Sequence, residues 1–146
     1  MGITMGDPAG VGPEIIAMAL MDPVLYESCR PVVLGDSAVL SDTVSRLSEK
    51  GWVAGQITIN PISTPVEAMG KPGVIDLLPL SNLDSGTIQP DRPVVAGGKA
   101  MVNYILRAVN MAVQGEIQGM VTGPISKVLM HQAGYRYDGH TQLIAH

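Results

Sequence analysis

The sequence predicts an α/β domain with a mostly parallel sheet and helices on both faces. Short apolar segments alternate along the chain with segments of helical periodicity, which is typical of repeated strand–helix units. Glycine- and proline-rich turns separate these segments. Hydrophobic residues make up 46% of the 146 residues, which is enough for a core. Because the chain has no Phe, that core must consist of aliphatic side chains and Met.

The first strand–helix unit occupies the first 21 residues. Residues 2–6 predict a strand, and residues 12–21 predict a helix whose first turn accommodates Pro13 and favours the carboxylate of Glu14. The glycine-rich turn between them has neither the dinucleotide-binding spacing nor a Walker lysine. By itself, this turn fits a ligand-binding loop and a plain tight connection equally well.

The remaining elements continue the alternation. Strands are predicted at 31–34, 56–60, 74–78 and 119–123. Helices are predicted from an N-cap at Asp36 to Gly51, from 94 to 115, through 128–130 after the segment 124–127, and from 139 onward. The helix over 94–115 is expected to bury one apolar face, which Tyr104 and Met111 broaden. The face is formed by Val95, Met101, Val102, Ile105, Leu106, Val109 and Val113. The polar, turn-rich stretch 81–93 is interpreted as a solvated connection.

Composition and charge exclude several classes of protein. A net charge of −4 without a basic cluster argues against a nucleic-acid surface. No apolar run reaches the roughly 18 residues that a membrane span needs. The single cysteine, Cys29, permits no intrachain disulfide and suits a reducing compartment. With no signal peptide at the N-terminus, we expect a cytoplasmic protein.

Two strand–turn–helix corners share a design. Gly6 and Asp7 follow the first strand, and Thr122 and Gly123 follow the strand at 119–123. Because the carboxyl ends of parallel strands meet at one edge of a sheet, both corners are expected to line one crevice. Backbone N–H groups at a helix start favour an anionic ligand, and Lys127 could add a point charge. The alternative for Lys127 is an exposed helix lysine.

A third corner is formed by Gly139-His140-Thr141 at the start of the last helical segment. His140 could bind a substrate or exchange a proton, whereas the alternative is a capping Thr141 beside a histidine that contacts a backbone carbonyl. The three histidines, His131, His140 and His146, have no helical zinc-binding spacing. No metal site is therefore predicted within these residues.

Together, the motifs Ile3–Glu14, Gly119–Lys127 and Gly139–Thr141 resemble the 4-hydroxythreonine-4-phosphate dehydrogenase family of pyridoxal phosphate biosynthesis. The resemblance includes the branch that oxidises 4-phospho-D-threonate or erythronate. It implies a fold like that of the isocitrate and isopropylmalate dehydrogenases, and a homodimer of two-domain α/β/α subunits. It also implies NAD-dependent oxidation and decarboxylation of 4-phosphooxy-L-threonine, with a divalent metal (Zn, Mg or Co) as Lewis acid.

The resemblance also assigns residues. His140 and Thr141 match the family's substrate-binding pair, and five residues are expected to line the cleft: Lys127, Thr122, Gly123, Gly6 and Asp7. Family chains are much longer, with their metal ligands beyond the third motif. Residues 1–146 are therefore expected to be an N-terminal portion of a two-domain enzyme, inactive alone. Two alternatives are a noncatalytic phosphate-binding domain and a remnant that folds only against a missing half.

Overall fold

The computed structural model describes residues 1–84 and 86–146, which contain five strands in one sheet. The strands are β1 (Gly2–Thr4), β2 (Val32–Asp36), β3 (Thr58–Pro61), β4 (Val74–Ser81) and β5 (Met120–Thr122). Their order across the sheet is β3-β4-β2-β1-β5, and every neighbouring pair is parallel. The predicted α/β class with a parallel sheet is confirmed.

Six helices connect and cover the strands. They are α1 (Gly12–Ala19), α2 (Val24–Ser28), α3 (Ser37–Glu49), α4 (Val95–Val113), α5 (Lys127–Gln132) and α6 (His140–Ala145), and Pro65–Glu67 form a 3₁₀ turn. The helix predicted through 128–130 is confirmed as α5. The hydroxyl of Ser126 caps the helix by accepting from the N–H of Leu129, so helical geometry begins only at Lys127. No helix among the described residues is long and apolar enough to cross a membrane.

The helices lie in two groups on opposite faces of the sheet. α1 packs against α3, whereas α4 packs against α5 and α6. Side chains alternate along β1, so Ile3 lies on the α1 side of the sheet, whereas Gly2 faces Ile117, which follows α4, on the other side. The core accordingly consists of two clusters of buried side chains. One cluster fills the space around the sheet, and a smaller one joins α4 to α5 and α6.

Helix α4 buries two faces rather than the single face predicted from its sequence. Of the predicted positions, three are buried (Met101, Val102 and Ile105), and these belong to the smaller cluster shared with α5 and α6 rather than to the main cluster. Three others are exposed by 40% or more: Val95, Leu106 and Val113. The sheet-side contacts come from Ala100, Tyr104, Ala108 and Met111, of which Tyr104 and Met111 were expected on the apolar face. Because Tyr104 is fully buried, the expectation of a core made only of aliphatic side chains and Met is wrong. The prediction was wrong because a one-face pattern cannot describe a helix covered on two sides.

A buried carboxylate connects β2, α3, β4 and α4. Asp36, only 1% exposed, ends β2 and caps α3 by accepting from the N–H groups of Ala38 and Val39. Its second oxygen accepts from the Ser81 hydroxyl at 2.7 Å and from the Leu83 N–H at 2.8 Å. The Ser81 hydroxyl also bonds the hydroxyl of Tyr104, whose pKa is raised by burial. The predicted N-cap role of Asp36 is confirmed.

The connection at 81–93 is less solvated than predicted. Leu83 is held by Asp36, and Ile88 is buried at 8% exposure. The N–H of Asp91 donates to the carbonyl of Ala9 at 3.0 Å. The prediction also covered Ser85, which lies outside the described residues. These contacts fasten the connection over the loop that follows β1.

The corners after β1 and β5 pack directly against each other, backbone on backbone. The Gly123 N–H donates to the Thr4 carbonyl, and the Asp7 N–H donates to the Pro124 carbonyl, both at 2.9 Å. A Cβ on Gly6 would lie 2.3 Å from the Pro124 oxygen, and one on Gly123 would lie 2.7 Å from the Thr4 oxygen. We call this contact between residues 4–7 and 123–124 the β1–β5 seam. It leaves no room for a side chain at either glycine.

We expect Gly6→Ala to destabilise the protein much more than Gly115→Ala. Both glycines have a positive φ, +76° and +75°, so the backbone strain is matched, at about 1 to 2 kcal/mol. Only at Gly6 does the new Cβ meet another backbone, which should cost roughly 2 to 3 kcal/mol more. Urea unfolding measures both variants, and equal losses of unfolding free energy would contradict the close contact.

Candidate functional site

Three of the residues predicted to form the site meet in one surface depression. Lys127 begins α5, and His140 and Thr141 begin α6 after an extended Gly139. A Cβ placed on Gly139 would lie 3.8 Å from Cε of Lys127, so the lysine side chain runs alongside this glycine. We call this feature the Lys127–His140 depression. Its volume is about 360 Å³, and its lining consists of Ile125, Lys127, Asp138, Gly139, His140, Thr141 and Gln142.

The polar groups of the depression fall into a paired set and an unpaired set. Asp138 and Gln142 pair twice: the Asp138 N–H donates to Oε1 of Gln142 at 2.9 Å, and the Gln142 amide donates to Oδ2 of Asp138 at 3.0 Å. Among the described residues, no hydrogen bond or ion pair engages the side chains of Lys127, His140 or Thr141. These three are therefore available to a ligand.

The alternative in which His140 and Thr141 only cap a helix does not match the geometry. Gly139 is the N-cap residue of α6, and no side chain caps this helix end. The histidine that contacts a backbone carbonyl is His131, whose Nε2 lies 2.8 Å from the Tyr137 oxygen. That contact holds the loop before the depression, and the Asp138–Gln142 pair fixes its end. Sequence reasoning missed the pair, although its i, i+4 spacing was a usable signal.

The short helices of the depression take their position from α4. Met130 of α5 and Leu143 of α6 pack into the smaller core cluster against Met101 and Ile105. Gly98 permits a close approach of α4 to α5, because a Cβ there would lie 2.7 Å from the Leu129 oxygen. Helices of six residues are marginal in isolation, so this packing sets the distance between Lys127 and His140.

The other four predicted site residues lie away from the depression. Gly6, Asp7 and Gly123 belong to the β1–β5 seam, and Thr122 and Gly123 also line an apolar groove beside α1. The two corners do share one edge of the sheet, as predicted, but they fill the space between them instead of lining a crevice. That these residues line a cleft in a longer protein stays a prediction.

Asp7 is a buried carboxyl group at the seam. It is 9% exposed, and its Oδ1 accepts from the Ala9 N–H at 3.0 Å. The same oxygen lies 3.8 Å from the position of a Cβ on Gly97, in the first turn of α4. Burial raises the pKa of this carboxyl above its ordinary value of 3.8, and the bond from Ala9 opposes that shift. The effect of desolvation on the pKa of Asp7 therefore outweighs that of the hydrogen bond from Ala9.

The raised pKa of Asp7 predicts a pH-dependent difference between the wild type and Asp7→Asn. A carboxyl with a raised folded-state pKa contributes stability that is fully present below pH 3.8 and is lost as pH rises through the raised pKa. The unfolding free energy of the wild type should therefore fall relative to that of Asp7→Asn between about pH 3 and about pH 7. Asp42→Asn, on an exposed part of α3, is the control. The opposite trend would mean that the α4 N-terminus favours the carboxylate.

The described residues do not fit a divalent metal or a dinucleotide by themselves. Among residues 1–84 and 86–146, no three His, Cys, Asp or Glu side chains are grouped to hold a metal ion. His131 bonds the Tyr137 carbonyl, and the His146 ring lies 5.7 Å from the Tyr137 ring. The glycine corner after β1, where a pyrophosphate would approach, is filled by the backbone of residues 123–124.

Comparisons with known proteins agree on one family. The sequence profile of the family described as "Pyridoxal phosphate biosynthetic protein PdxA" matches residues 27–146. A 4-hydroxythreonine-4-phosphate dehydrogenase of Desulforapulum autotrophicum is 43% identical over 99% of this chain and 41% of its own length. A Symbiobacterium thermophilum protein named "Putative D-threonate 4-phosphate dehydrogenase" is 38% identical over 98% of this chain and 41% of its own length.

Solved structures give the same result. The crystal structure of 4-hydroxythreonine-4-phosphate dehydrogenase from Klebsiella pneumoniae superposes with a TM-score of 0.89 at 31% identity, over 100% of this chain and 42% of that one. The enzyme of the same name from Burkholderia phymatum gives 0.84 at 36% identity, over 99% and 42%. The chain thus spans about two fifths of the length of the relatives it matches. It belongs to the PdxA family of 4-hydroxythreonine-4-phosphate dehydrogenases.

Proposed function

We propose that this chain supplies the substrate-binding part of an NAD-dependent dehydrogenase that oxidises 4-phosphooxy-L-threonine, with decarboxylation of the product. The observation that carries the proposal is the Lys127–His140 depression. Lys127, His140 and Thr141 line this depression, and their side chains make no hydrogen bond or ion pair with the other described residues. The chain that carries them belongs to a family of dehydrogenases. A phosphorylated hydroxy acid offers the phosphate, carboxylate and hydroxyl groups that these side chains bind.

Each of the three side chains has a distinct part in the proposal. The Lys127 ammonium is a point charge with three donors and attracts the substrate phosphate or carboxylate. The Thr141 hydroxyl and one ring nitrogen of His140 orient the substrate through directional hydrogen bonds to its oxygens. The imidazole can also hold or release a proton. NAD and a divalent metal, when bound, would supply the redox and Lewis-acid chemistry. The groups that hold both cofactors are proposed to lie in polypeptide outside residues 1–146.

A second substrate is favoured by one observation. Among the relatives, proteins named for D-threonate 4-phosphate reach 38% identity over nearly the whole chain. 4-Phospho-D-threonate and erythronate carry the same phosphate and hydroxy-acid groups, so the same three side chains suit them. The proposed enzyme is a homodimer and is located in the cytoplasm, as the resemblance to the family implies. A noncatalytic phosphate-binding domain is the competing proposal of another class.

A chimera tests the function of this chain directly. This chain would replace the matching 41% of the Desulforapulum autotrophicum relative. NADH formation at about 340 nm would then be followed with each phosphorylated substrate and a divalent metal. We expect turnover by the chimera and none by residues 1–146 alone. A chimera that melts cooperatively but gives no turnover, beside an active parent, would contradict the proposal.

In the active chimera, His140→Ala should lower kcat/KM by roughly 10- to 100-fold, the loss expected for one charge-assisted hydrogen bond. The melting temperature should barely change, because no described residue depends on this imidazole for a hydrogen bond. His146→Ala removes an exposed imidazole that does not line the depression and should have a much smaller effect on kcat/KM. A large fall in melting temperature for His140→Ala, with kcat/KM retained, would restore the structural interpretation.

A further inference from the structure

One peptide group lies between the two short helices that carry the candidate site. It joins Tyr137 to Asp138, two residues before His140. Its carbonyl oxygen lies 2.8 Å from Nε2 of His131, in the last turn of α5. Its N–H group donates to Oε1 of Gln142, in α6, at 2.9 Å. The same peptide group is therefore held from both helices at once, and we call this arrangement the 137–138 clamp.

The direction of both contacts is fixed by the chemistry of the groups involved. A carbonyl oxygen can only accept, so Nε2 of His131 must carry a proton in this contact. Neutral imidazole meets that requirement as the Nε2–H tautomer, and imidazolium meets it as well. The contact therefore persists whether or not His131 is charged. Gln142 adds a second bond to the same segment, because its amide donates to Oδ2 of Asp138 at 3.0 Å.

Helix α6 has few other contacts that fix its direction. It is six residues long, and Leu143 is its only buried residue, with Ile144 partly buried beside it. Its N-cap is Gly139, which has no side chain to cap the helix. Two adjacent apolar contacts hold the helix against the smaller core cluster but do little to stop it rotating about its axis. The 137–138 clamp supplies the missing directional contacts at the end that carries His140.

The clamp refers the position of α6 to that of α5. The ring of Tyr137 packs against the smaller core cluster, to which Met130 of α5 also belongs. His131 contacts the peptide from the last turn of α5, and the first residue of the same helix is Lys127. A movement of the clamped peptide relative to α5 therefore changes where His140 lies relative to Lys127.

We propose that His131 and Gln142 are positioning residues that act through the Tyr137–Asp138 peptide group. They hold His140 and Thr141 in the orientation in which both side chains meet a substrate beside Lys127. The inference rests on the proposed function of the Lys127–His140 depression, which it deepens. His131 lies outside the lining of the depression, so it acts on the substrate only through the clamp.

The clamp is suited to orientation rather than to overall stability. Both of its hydrogen bonds lie at the surface, where such bonds contribute little to the free energy of unfolding. A displacement of about 1 Å at a reacting group can nevertheless lower a rate by about 100-fold. Loss of the clamp is therefore expected to change activity much more than the melting temperature.

The chimera tests this positioning through a double-mutant cycle. His131→Ala and Gln142→Ala should each lower kcat/KM by about tenfold with little change in melting temperature, because His140 is misplaced. Because both act through one peptide group, the double variant should lose little more than either single variant. His131→Gln, which keeps an N–H donor, should retain most of the activity. Gln132→Ala, an exposed neighbour on α5, is the control.

Hydrogen exchange at the Asp138 amide tests the clamp without turnover. In residues 1–146, His131→Ala should speed exchange of this amide by about tenfold, although its own acceptor on Gln142 is intact. His131→Gln should return the rate close to that of the wild type, and Gln132→Ala should not change it. His131 and Gln142 are exposed, so each variant is expected to fold, which circular dichroism verifies.

Three results would overturn the proposal. One is an exchange rate at the Asp138 amide that does not respond to His131→Ala. Another is a double variant in which the two losses of kcat/KM multiply, since His131 and Gln142 would then act independently. The third is a His131→Gln variant as impaired as His131→Ala. An inactive parent chimera, together with faster exchange at Asp138 in His131→Ala, would reject the proposed function and keep the clamp.

Discussion

The β1–β5 seam is the contact on which the rest of the structure depends. Two parallel strands bring their carboxyl ends together, and the backbones that leave them pair through Gly123 with Thr4 and Asp7 with Pro124. Glycine is required at positions 6 and 123 because a Cβ would collide with a carbonyl. From this point the chain departs to α1 on one face and towards α5 on the other. The seam therefore fixes the start of α1, which borders the groove, and that of α5, which carries Lys127.

Much of the fold follows from local chemistry that the sequence displays. The alternation of apolar segments and helical periods predicts the parallel sheet, and Asp36 predicts the start of α3. The glycine-rich corner was ambiguous for a physical reason. A ligand-binding loop and a backbone-to-backbone contact both require residues without a Cβ, so only the position of residues 123–124 decides between them. Likewise, the second buried face of α4 depends on α5 and α6, which no periodicity in α4 reveals.

The sequence could predict which residues belong to the candidate site, but it could not predict how they are arranged in space. Lys127, His140 and Thr141 stand out by motif, yet their convergence results from the packing of two six-residue helices on α4. The sequence grouped Gly6 and Asp7 with them because parallel strands share an edge. That edge is wide enough for a closed seam and a separate depression. The chain thus combines a closed backbone seam with a separate depression whose lining side chains are mostly charged or polar.

Native-state hydrogen exchange at the amides of Gly123 and Asp7 tests the central role of the seam most directly. If the seam fixes both corners, these amides should exchange only through global unfolding, with the same free energy that urea unfolding gives for the whole chain. Exchange of either amide at a rate typical of an exposed bend such as Gly55, with the core amides still protected, would contradict this role of the seam.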